Sequence, residues 1–412
     1  MNKKVLILGN SAKEYALAKK LSENCQVFVA PGNSAISEFA TIVDIRDNST
    51  RDLLEFCVEN NVDMVIPVSD ASIKSDISDV FARHNISVFS GVYESKDVLL
   101  DKISAKRLLY KLKIPTPRFG IFDKQAMAVE YIKKLSIPFV VKSNVPSSAV
   151  ILNSLKSNDN ILDYIFAQKN GKIIVEDYIY GQAFTFYSIT DGYKALPFAS
   201  SLINKGSLEG EGGQLTSGLG ACSPNYKLSL EQENYLMDDV IYPTIEYLQN
   251  YASPYLGILG VNGILSSDGT ITILGYQPFL QDCDCAGILE NLNVNTIDLF
   301  NSCIIGSFSD EIDEILTKNM YSVSVVLSCR HTNNVENILT GIENLDDNIM
   351  QSFYSSVSKN KYFEYEVQQG QNLVLTSMAS TVTSAAKSVY ENIKHINYRG
   401  MNYRKDICIN IN

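Results

Sequence analysis

Short turns after predicted strands hold residues that could bind a ligand. Gly9-Asn10-Ser11 follows the strand Val5–Leu8, and Ala30-Pro31-Gly32-Asn33-Ser34 follows the strand Val27–Val29. In open parallel sheets ligands bind beyond the carboxyl ends of the strands, so both turns are candidate binding loops. Neither contains G-x-G-x-x-G, so a dinucleotide site is not indicated. The structural alternative is that the glycines only permit positive φ angles in tight turns.

Residues near the ends of later strands could bind an anion. The predicted strand Ile137–Lys142 ends in a lysine, and the strand Lys172–Ile179 carries the acidic pair Glu176 and Asp177 towards its end. Residues 206–220 contain six glycines and few large apolar side chains. Such a loop can bring many backbone N–H groups close to an anion. A surface loop without a ligand is the alternative interpretation of the same composition.

The elements that must position these residues alternate along the first 90 residues. Short apolar runs predict strands, and amphipathic stretches such as Glu14–Leu21 predict helices. This alternation indicates βαβ units and a parallel sheet. Further on, Gly257–Leu265 and Thr270–Leu274 flank an Asp-Gly turn that predicts a hairpin. The last 95 residues mix strands with a helix at Thr383–Ile393, which indicates a separate α+β module.

Composition excludes several classes of function. The 412 residues include 35 Lys and Arg against 46 Asp and Glu, which gives a net charge of −11. Without a basic run, sequence-independent nucleic-acid binding is not expected. No apolar stretch approaches the ~18 residues that span a bilayer, and the run at Val5–Leu8 is too short for a signal peptide. We therefore predict a cytoplasmic protein with no nucleic-acid or membrane partner.

Cysteines and histidines do not form a zinc-ligand pattern. The eight cysteines are scattered, and the three histidines lie far apart in the sequence. With no secretory signal, reduced thiols are a better interpretation than a disulfide framework. Cys283-Asp284-Cys285 is the one close pair and could hold a soft metal.

Four segments carry motifs in a recognisable order. Gly9–Leu17 is similar to G-S-G-G-R-E-H-A-L, and Ala30–Asn33 matches A-P-G-N. Glu209–Pro224, the most specific match, is similar to D-G-D-x-G-P-N-T-G-G-M-G-A-Y-S-P, and Tyr398–Ile407 is similar to F-x-G-M-x-Y-R-x-D-I. In this order the chain resembles the glycinamide ribonucleotide synthetases (phosphoribosylamine–glycine ligases), ATP-grasp enzymes of purine biosynthesis. The resemblance covers essentially the whole chain.

The resemblance implies a fold and a reaction. The α/β chain would comprise an N-terminal doubly wound parallel-sheet (pre-ATP-grasp) domain at 1–98, an ATP-grasp domain of two α+β subdomains at 99–316, and a C-terminal α+β domain at 317–412. The enzyme would join glycine to 5-phosphoribosylamine through glycyl phosphate and give glycinamide ribonucleotide, with ATP and Mg²⁺ (or Mn²⁺) as cofactors. These small molecules would be its partners, and it would be a monomer or a small homo-oligomer.

The resemblance also implies roles for individual residues. The residues expected to bind ATP are Lys102, Lys142, Glu176, Asp177, Tyr178 and Ile179. The residues expected to bind the other substrates are Gly9, Asn10, Gly32, Asn33, Lys205, Thr216, Gly218 and Gly220. Among these, Gly218 and Gly220 would let the main chain approach the ligand closely. The expected catalytic residues are Glu211 and Asp282, and the expected metal ligands are Gln277 and Asp284.

The chain departs from the family pattern at the ATP and metal site. The family's glycine-rich, lysine-containing loop is replaced by Ser143–Val150, which has neither residue type. The family's I-E-F-N, whose Glu and Asn bind Mg²⁺, becomes Leu274-Gly275-Tyr276-Gln277, so a carboxylate ligand is lost. We therefore expect weaker MgATP binding than in typical relatives. Two alternatives stay open: a degenerate homologue that binds a nucleotide or phosphosugar without ligase activity, and an ATP-grasp ligase with another carboxylate or amine substrate.

Overall fold

A computed structural model describes most of the chain. The described residues are 3–135, 138–143, 149–152, 172–308, 312, 314–330, 337–346 and 349–409. Residues 144–148, which replace the family's glycine-rich loop, lie outside them. None of the helices in the described ranges is both long and apolar enough to cross a membrane.

The N-terminal region forms a parallel sheet with the strand order β3-β2-β1-β4-β5. Its strands are β1 (Lys4–Gly9), β2 (Gln26–Pro31), β3 (Thr41–Ile42), β4 (Met64–Pro67) and β5 (Ser87–Val88). Its helices are α1 (Ala12–Ser22), α2 (Thr50–Asn60), α3 (Asp70–Ile73) and α4 (Ile77–Ala82), and Ile36–Glu38 is a 3₁₀ turn. Because the strand order runs outward from β1 in both directions, the predicted doubly wound α/β topology is confirmed.

Side chains hold the turn between β1 and α1. The buried Glu14 carboxyl group accepts a hydrogen bond from the backbone N–H of Ser11, the N-cap residue of α1, and lies in contact with the Ser11 hydroxyl. Gly9 has a φ angle of +139°, and a Cβ atom at this position would collide with the Glu14 carboxylate. Glycine is thus required here both by the backbone conformation and by the close approach of Glu14.

Two helices lead into a second, antiparallel sheet with the order β6-β9-β7-β8. The elements are α5 (Tyr93–Leu100), α6 (Lys102–Lys111), β6 (Phe119–Phe122), α7 (Gln125–Ile132), β7 (Phe139–Ser143), β8 (Ala149–Leu152) and β9 (Ile173–Asp177). The register pairs Val140 with Glu176 and Lys142 with Ile174. Paired residues share a face of the sheet, so Lys142 and Glu176 lie on the same face as diagonal neighbours.

A large antiparallel sheet has the order β14-β13-β10-β11-β12-β15-β19-β16, and β20 pairs with β15. Its strands are β10 (Gln182–Thr190), β11 (Ala195–Leu208), β12 (Gly212–Ser223), β13 (Gly257–Leu265), β14 (Ile271–Gln277), β15 (Tyr321–Cys329), β16 (Met350–Tyr354), β19 (Gly370–Ala379) and β20 (Met401–Asn402). A separate hairpin contains β17 (Val357–Lys359) and β18 (Tyr365–Val367). The hairpin predicted at the Asp-Gly turn is confirmed as β13–β14.

The remaining helices lie between and after the strands of the large antiparallel sheet. They are α8 (Leu230–Tyr235), α9 (Tyr242–Tyr251), α10 (Cys285–Asn291), α11 (Thr296–Ile305) and α12 (Val382–Ile393), with a π-helical turn at Leu236–Ile241 and 3₁₀ turns at Glu209–Glu211 and Ile342–Asn344. The start of α10 packs against α1 of the N-terminal region, because Asp282 accepts the Lys13 backbone N–H at 3.0 Å and Cys285 lies against the Lys13 carbonyl.

Two expectations about the middle of the chain differ from the structure. Residues 206–220 do not form a loop but the adjoining ends of β11 and β12, because the ladder between these strands satisfies their backbone groups. Only Glu209–Glu211 turns the chain, with Gly210 at a φ angle of +67°. Beyond the domain boundary expected at 316/317, β15 continues the same sheet by pairing with β12. The three-domain division stays a prediction.

Candidate active site

A cavity of about 400 Å³ is lined by both antiparallel sheets and by α3 and α6. Its charged lining residues are Asp70, Lys74, Lys102, Lys106, Lys142, Glu176, Asp177, Lys205 and Glu211. All six residues expected to bind ATP line this cavity, and so do Lys205, Thr216, Glu211 and Gln277. The structure thus brings together residues that are up to 175 positions apart in the sequence.

Glu176 lies at the centre of a buried group of charges. Its carboxylate forms ion pairs with Lys142 and with Lys106, the latter at 2.9 Å, and the side chains of Glu176 and Lys106 are each 2% exposed. Burial alone would raise the pKa of Glu176, but the two ammonium groups outweigh it and hold that pKa below its ordinary value. Lys106 also donates to Thr116 Oγ1 at 2.7 Å. The three charges therefore form one rigid unit in the wall of the cavity.

Burial lowers the pKa values of three lysines of the cavity. Burial, followed by repulsion from Lys142 and Lys74, lowers the pKa of Lys102 to about 8. Burial also lowers the pKa of Lys106 to about 8 and lowers the pKa of Lys205 from its ordinary value. A polyanionic ligand would favour the protonated form of every one of these groups. The electrostatics of the cavity therefore suit a phosphate chain.

Part of the cavity lining is apolar. The segment that follows β9 contributes Tyr178 and Ile179, and the other apolar lining residues include Leu99, Val140, Ile174, Ala183 and Leu274. Asp177 is held by Arg118, which donates to both carboxylate oxygens at 3.1 and 3.3 Å. A flat, mostly apolar group such as a purine base matches this lining, with backbone groups of the 176–179 segment available for hydrogen bonds.

Glu211 accepts hydrogen bonds from several groups that could not be predicted from its position in the sequence. Its carboxylate accepts hydrogen bonds from Asn204 Nδ2 at 2.7 Å, from the backbone N–H groups of Lys205 and Gly206 at 3.0 Å, and from Arg404 at 2.6 Å. Arg404 is 3% exposed, so this ion pair ties the C-terminal segment to the cavity wall. Both carboxylate oxygens are engaged, which fixes the β11–β12 turn; a catalytic role for Glu211 stays a prediction.

The two N-terminal turns lie next to each other at the carboxyl-terminal ends of the strands of the parallel sheet. Gly32 N–H donates to the Gly9 carbonyl at 3.1 Å, and Asn33 Nδ2 donates to the Asn10 carbonyl at 3.0 Å. Both turns therefore follow the carboxyl-terminal ends of neighbouring parallel strands, as the sequence predicted. Neither turn lines the cavity described above, and a role in substrate binding stays a prediction.

Gly218 and Gly220 are needed for packing in this structure. A Cβ atom at Gly218, which has a φ angle of +131°, would lie 2.6 Å from Cys283 Sγ, and one at Gly220 would lie 2.7 Å from Ile407. Neither glycine lines the cavity, whereas Thr216 does. Thr216 Oγ1 donates to the Lys205 carbonyl at 2.9 Å and accepts the Gly218 N–H at 3.1 Å. We therefore expect a substitution at Gly218 to disturb the protein interior in addition to any effect on a ligand.

Asp282 and Asp284 lie outside the cavity lining. Asp282 Oδ1 accepts hydrogen bonds from Ser11 Oγ at 2.5 Å and from the Lys13 backbone N–H at 3.0 Å, at the start of α1. Asp284 is 1% exposed and accepts hydrogen bonds from Tyr187 Oη at 2.8 Å and from the Gln281 backbone N–H at 2.9 Å. Both aspartates connect neighbouring elements through these hydrogen bonds, and the catalytic role expected of Asp282 stays a prediction.

Two family models match consecutive parts of this chain. The model described as the N domain of phosphoribosylglycinamide synthetase matches residues 3–95, and the model of the ATP-grasp (A) domain of the same enzyme matches residues 100–285. Together they cover about two thirds of the chain. The chain belongs to the phosphoribosylglycinamide synthetase family. The resemblance drawn from the motifs is therefore confirmed.

Similar proteins match this family member over nearly its whole length. It is 25% identical to the phosphoribosylamine–glycine ligase of Neisseria meningitidis serogroup B, with 98% of each chain covered. It is 26% identical to that of Clostridium acetobutylicum, with 98% of this chain and 99% of the relative covered.

Solved structures confirm the ATP-grasp fold. The phosphoribosylamine–glycine ligase of Thermotoga maritima superposes with a TM-score of 0.81 at 20% identity, covering 98% of this chain and 100% of that chain. The biotin carboxylase domain of Hydrogenobacter thermophilus 2-oxoglutarate carboxylase, solved with MgADP, superposes with a TM-score of 0.73 at 14% identity. The superposition covers 97% of this chain and 91% of that chain.

In the part of the chain that the structure describes, the positions expected to bind the metal do not form a divalent-metal site. Among the described residues no group of three His, Cys, Asp or Glu side chains could hold a metal ion. Gly275 offers no ligand, and the Gln277 Oε1 atom accepts a hydrogen bond from Asn262 at 3.4 Å. Asp284, the other expected ligand, is buried outside the cavity lining, and both of its carboxylate oxygens accept hydrogen bonds. The donor set therefore does not fit the expected Mg²⁺ or Mn²⁺.

Replacing Asp284 by asparagine is expected to stabilise the protein at neutral pH. Burial raises the pKa of Asp284 to about 6 from 3.8, so the folded state keeps the proton more tightly than the unfolded chain. The stability that Asp284 contributes is therefore fully present below about pH 4 and is lost as the pH rises through 6. Asp284→Asn should gain up to about 3 kcal/mol at pH 7.5 and nothing at pH 4. Urea unfolding at both pH values measures this, and equal midpoints at pH 7.5 would contradict it.

Proposed function

We propose that this chain is an ATP-dependent ligase that joins glycine to 5-phosphoribosylamine and yields glycinamide ribonucleotide, ADP and phosphate. The observation that carries the proposal is a single cavity in which Lys102, Lys142 and Lys205 meet the Glu176–Ile179 segment, in a chain matched by family models along residues 3–95 and 100–285. Full coverage of relatives that are named phosphoribosylamine–glycine ligases supports it.

The chemistry proceeds in two balanced steps. A carboxylate oxygen of glycine attacks the γ-phosphorus of ATP, the bond to ADP breaks, and glycyl phosphate forms. The amine of phosphoribosylamine then attacks the acyl carbon, phosphate leaves, and the nitrogen loses a proton. Phosphoryl transfer of this kind depends mainly on positioning and on neutralising charge. Three lysines of the cavity, Lys102, Lys142 and Lys205, supply that positive charge.

We place ATP along the cavity with its base at the 176–179 segment and its phosphates at the lysines. The apolar lining around Ile179 and Leu274 would contact the base, as described above. Glycine and phosphoribosylamine would then approach the γ-phosphate from the side of Lys205 and Thr216. Eight buried cysteines, none of them in a disulfide, suit a reducing compartment, and we propose the cytoplasm as the location.

ATP affinity is expected to fall as the pH rises above 8. The pKa values of Lys102 and Lys106 are about 8 in the free protein, and a bound triphosphate would raise them. Binding above pH 8 must therefore take up protons, and affinity should fall by up to about tenfold per pH unit for each lysine. Calorimetric titrations between pH 7 and pH 9.5 measure this. Lys102→Arg, which stays protonated, should flatten the profile, and an unchanged affinity at pH 9.5 in the wild type would contradict the prediction.

The experiment that tests the function is formation of labelled glycinamide ribonucleotide from labelled glycine. Phosphoribosylamine can be formed in situ from ribose 5-phosphate and ammonia. We expect product only when ATP, glycine and phosphoribosylamine are all present, with one ADP released per product molecule. A protein that binds ATP but forms no product would contradict ligase activity.

A second candidate function is binding of a nucleotide without turnover. The observation that favours it is the lack of a metal-ligand set, since Gly275 stands where the family has a carboxylate. This alternative predicts ATP binding in the calorimeter together with no ADP release in the presence of all three substrates. The same assay therefore separates the two functions.

A further inference from the structure

Three of the four carboxylates of the cavity lining are engaged by cations of the protein itself. Glu176 is paired with two lysines, Glu211 accepts a hydrogen bond from Arg404 at 2.6 Å, and Asp177 accepts two from Arg118. A divalent cation would have to displace these partners to gain a carboxylate ligand. For Glu176 that would leave two ammonium groups in the wall without a counter-ion, which is unfavourable in a buried site.

The remaining positions do not supply a ligand set either. Asp70 lines the cavity but is exposed at the start of α3, and it favours the charged form of Lys102, so a divalent ion would compete with that lysine for it. At nucleotide sites Mg²⁺ takes one or two protein carboxylates in addition to phosphate oxygens, and Asp70 alone supplies the minimum of that range. Gln277 offers a neutral amide oxygen that accepts from Asn262. A Cβ atom at Gly275 would meet no other atom within 4 Å. The wall of the cavity at Gly275 thus has open space where a ligating side chain would fit, and the chain leaves it empty.

Positive charge comes instead from lysines. Lys102 donates to the Ser143 carbonyl at 2.7 Å. Lys142 lines the cavity from β7, and Lys205 lines it from β11. The first and third are buried enough that their pKa values fall. Free ATP carries about two more negative charges than its magnesium complex. Such an anion suits a cavity whose lining contains five lysines and four carboxylates, three of which are already engaged by cations of the protein.

We propose that the cavity binds ATP as the metal-free anion, with its phosphate charge balanced by Lys102, Lys142 and Lys205 and not by a divalent cation held on the protein. The proposal rests on the proposed function in taking ATP as the ligand. Gly275 is the residue whose lack of a side chain sets this preference.

Calorimetric titration of the purified protein with ATP, in excess EDTA and in excess MgCl₂, tests the proposal. The wild type should bind ATP in EDTA at least as tightly as in MgCl₂. Gly275→Glu adds a carboxylate in the open space. This variant should bind ATP at least about tenfold more tightly in MgCl₂ than in EDTA. Gly275→Gln is the matched control, because it adds the same bulk without the charge, and it should gain no metal dependence.

The possible outcomes separate a failure of this proposal from a failure of the proposed ligase function. Wild-type binding that is reproducibly tighter in MgCl₂ than in EDTA overturns this proposal and leaves the proposed ligase standing. ATP binding in neither condition overturns both. Equal metal responses of Gly275→Glu and Gly275→Gln, in variants that keep the wild-type circular dichroism spectrum, overturn the assignment of the effect to Gly275.

Discussion

Glu176→Gln is expected to destabilise the protein by about 3–5 kcal/mol, as measured by urea unfolding at pH 7.5. The substitution keeps the shape of the side chain but removes the negative charge between Lys106 and Lys142. Lys106 has a side chain that is only 2% exposed, so its ammonium group would remain buried without a counter-ion. Loss of one partner from a buried charge group costs far more than loss of an exposed ion pair.

The chain offers a matched control at the next residue. Asp177→Asn removes the partner of Arg118, whose side chain is 70% exposed, and should leave the urea midpoint almost unchanged. The double variant Glu176→Gln with Lys106→Met removes both charges and should recover part of the loss, since the effects of contacting residues are not additive. A Glu176→Gln midpoint equal to that of Asp177→Asn would show that the buried charge group does not stabilise the fold.

Lys142→Met is expected to weaken ATP binding by roughly 10- to 100-fold, the range of a charge-assisted hydrogen bond in a partly buried site. Two effects act in the same direction. The phosphates lose an ammonium partner, and the negative charge of Glu176 is left with Lys106 alone, so it repels the phosphates more strongly. Calorimetry in EDTA and in MgCl₂ measures the change under both conditions.

Lys133→Met is a control for loss of a positive charge elsewhere. Lys133 is 55% exposed, pairs with Glu130 on α7, and does not line the cavity, so its loss should leave the ATP affinity unchanged. Lys142→Arg keeps the charge and should lose less than Lys142→Met. If all three variants bound ATP like the wild type, the phosphates would have to lie elsewhere.

The parts of the site that the sequence predicted are those set by strand periodicity. Lys142 and Glu176 lie near the ends of apolar runs, and these runs became β7 and β9, which pair directly. Once two strands are adjacent, their register places both side chains on one face. The parallel N-terminal sheet was predictable for a similar reason, because alternating strands and helices permit few topologies.

The parts that escaped prediction depend on contacts between distant segments. Lys106 appears in the sequence as one of several lysines on an amphipathic helix, although its spacing of four from Lys102 places both on one face. Arg404 lies in the C-terminal motif, but nothing local indicates that it contacts Glu211 across 193 positions. Glycines in 206–220 suggested a loop because composition alone does not reveal the strand pairing that satisfies their backbone groups.

The measurement that tests the central claim most directly follows the oxygen atoms of glycine. Glycine labelled with ¹⁸O in both carboxylate oxygens is incubated with the protein, ATP and phosphoribosylamine, and the released phosphate is analysed by mass spectrometry. If glycyl phosphate forms, one ¹⁸O atom appears in the phosphate for each glycinamide ribonucleotide, and the other stays in the amide. Phosphate without ¹⁸O, or ATP binding with no turnover at all, would contradict the proposed ligase.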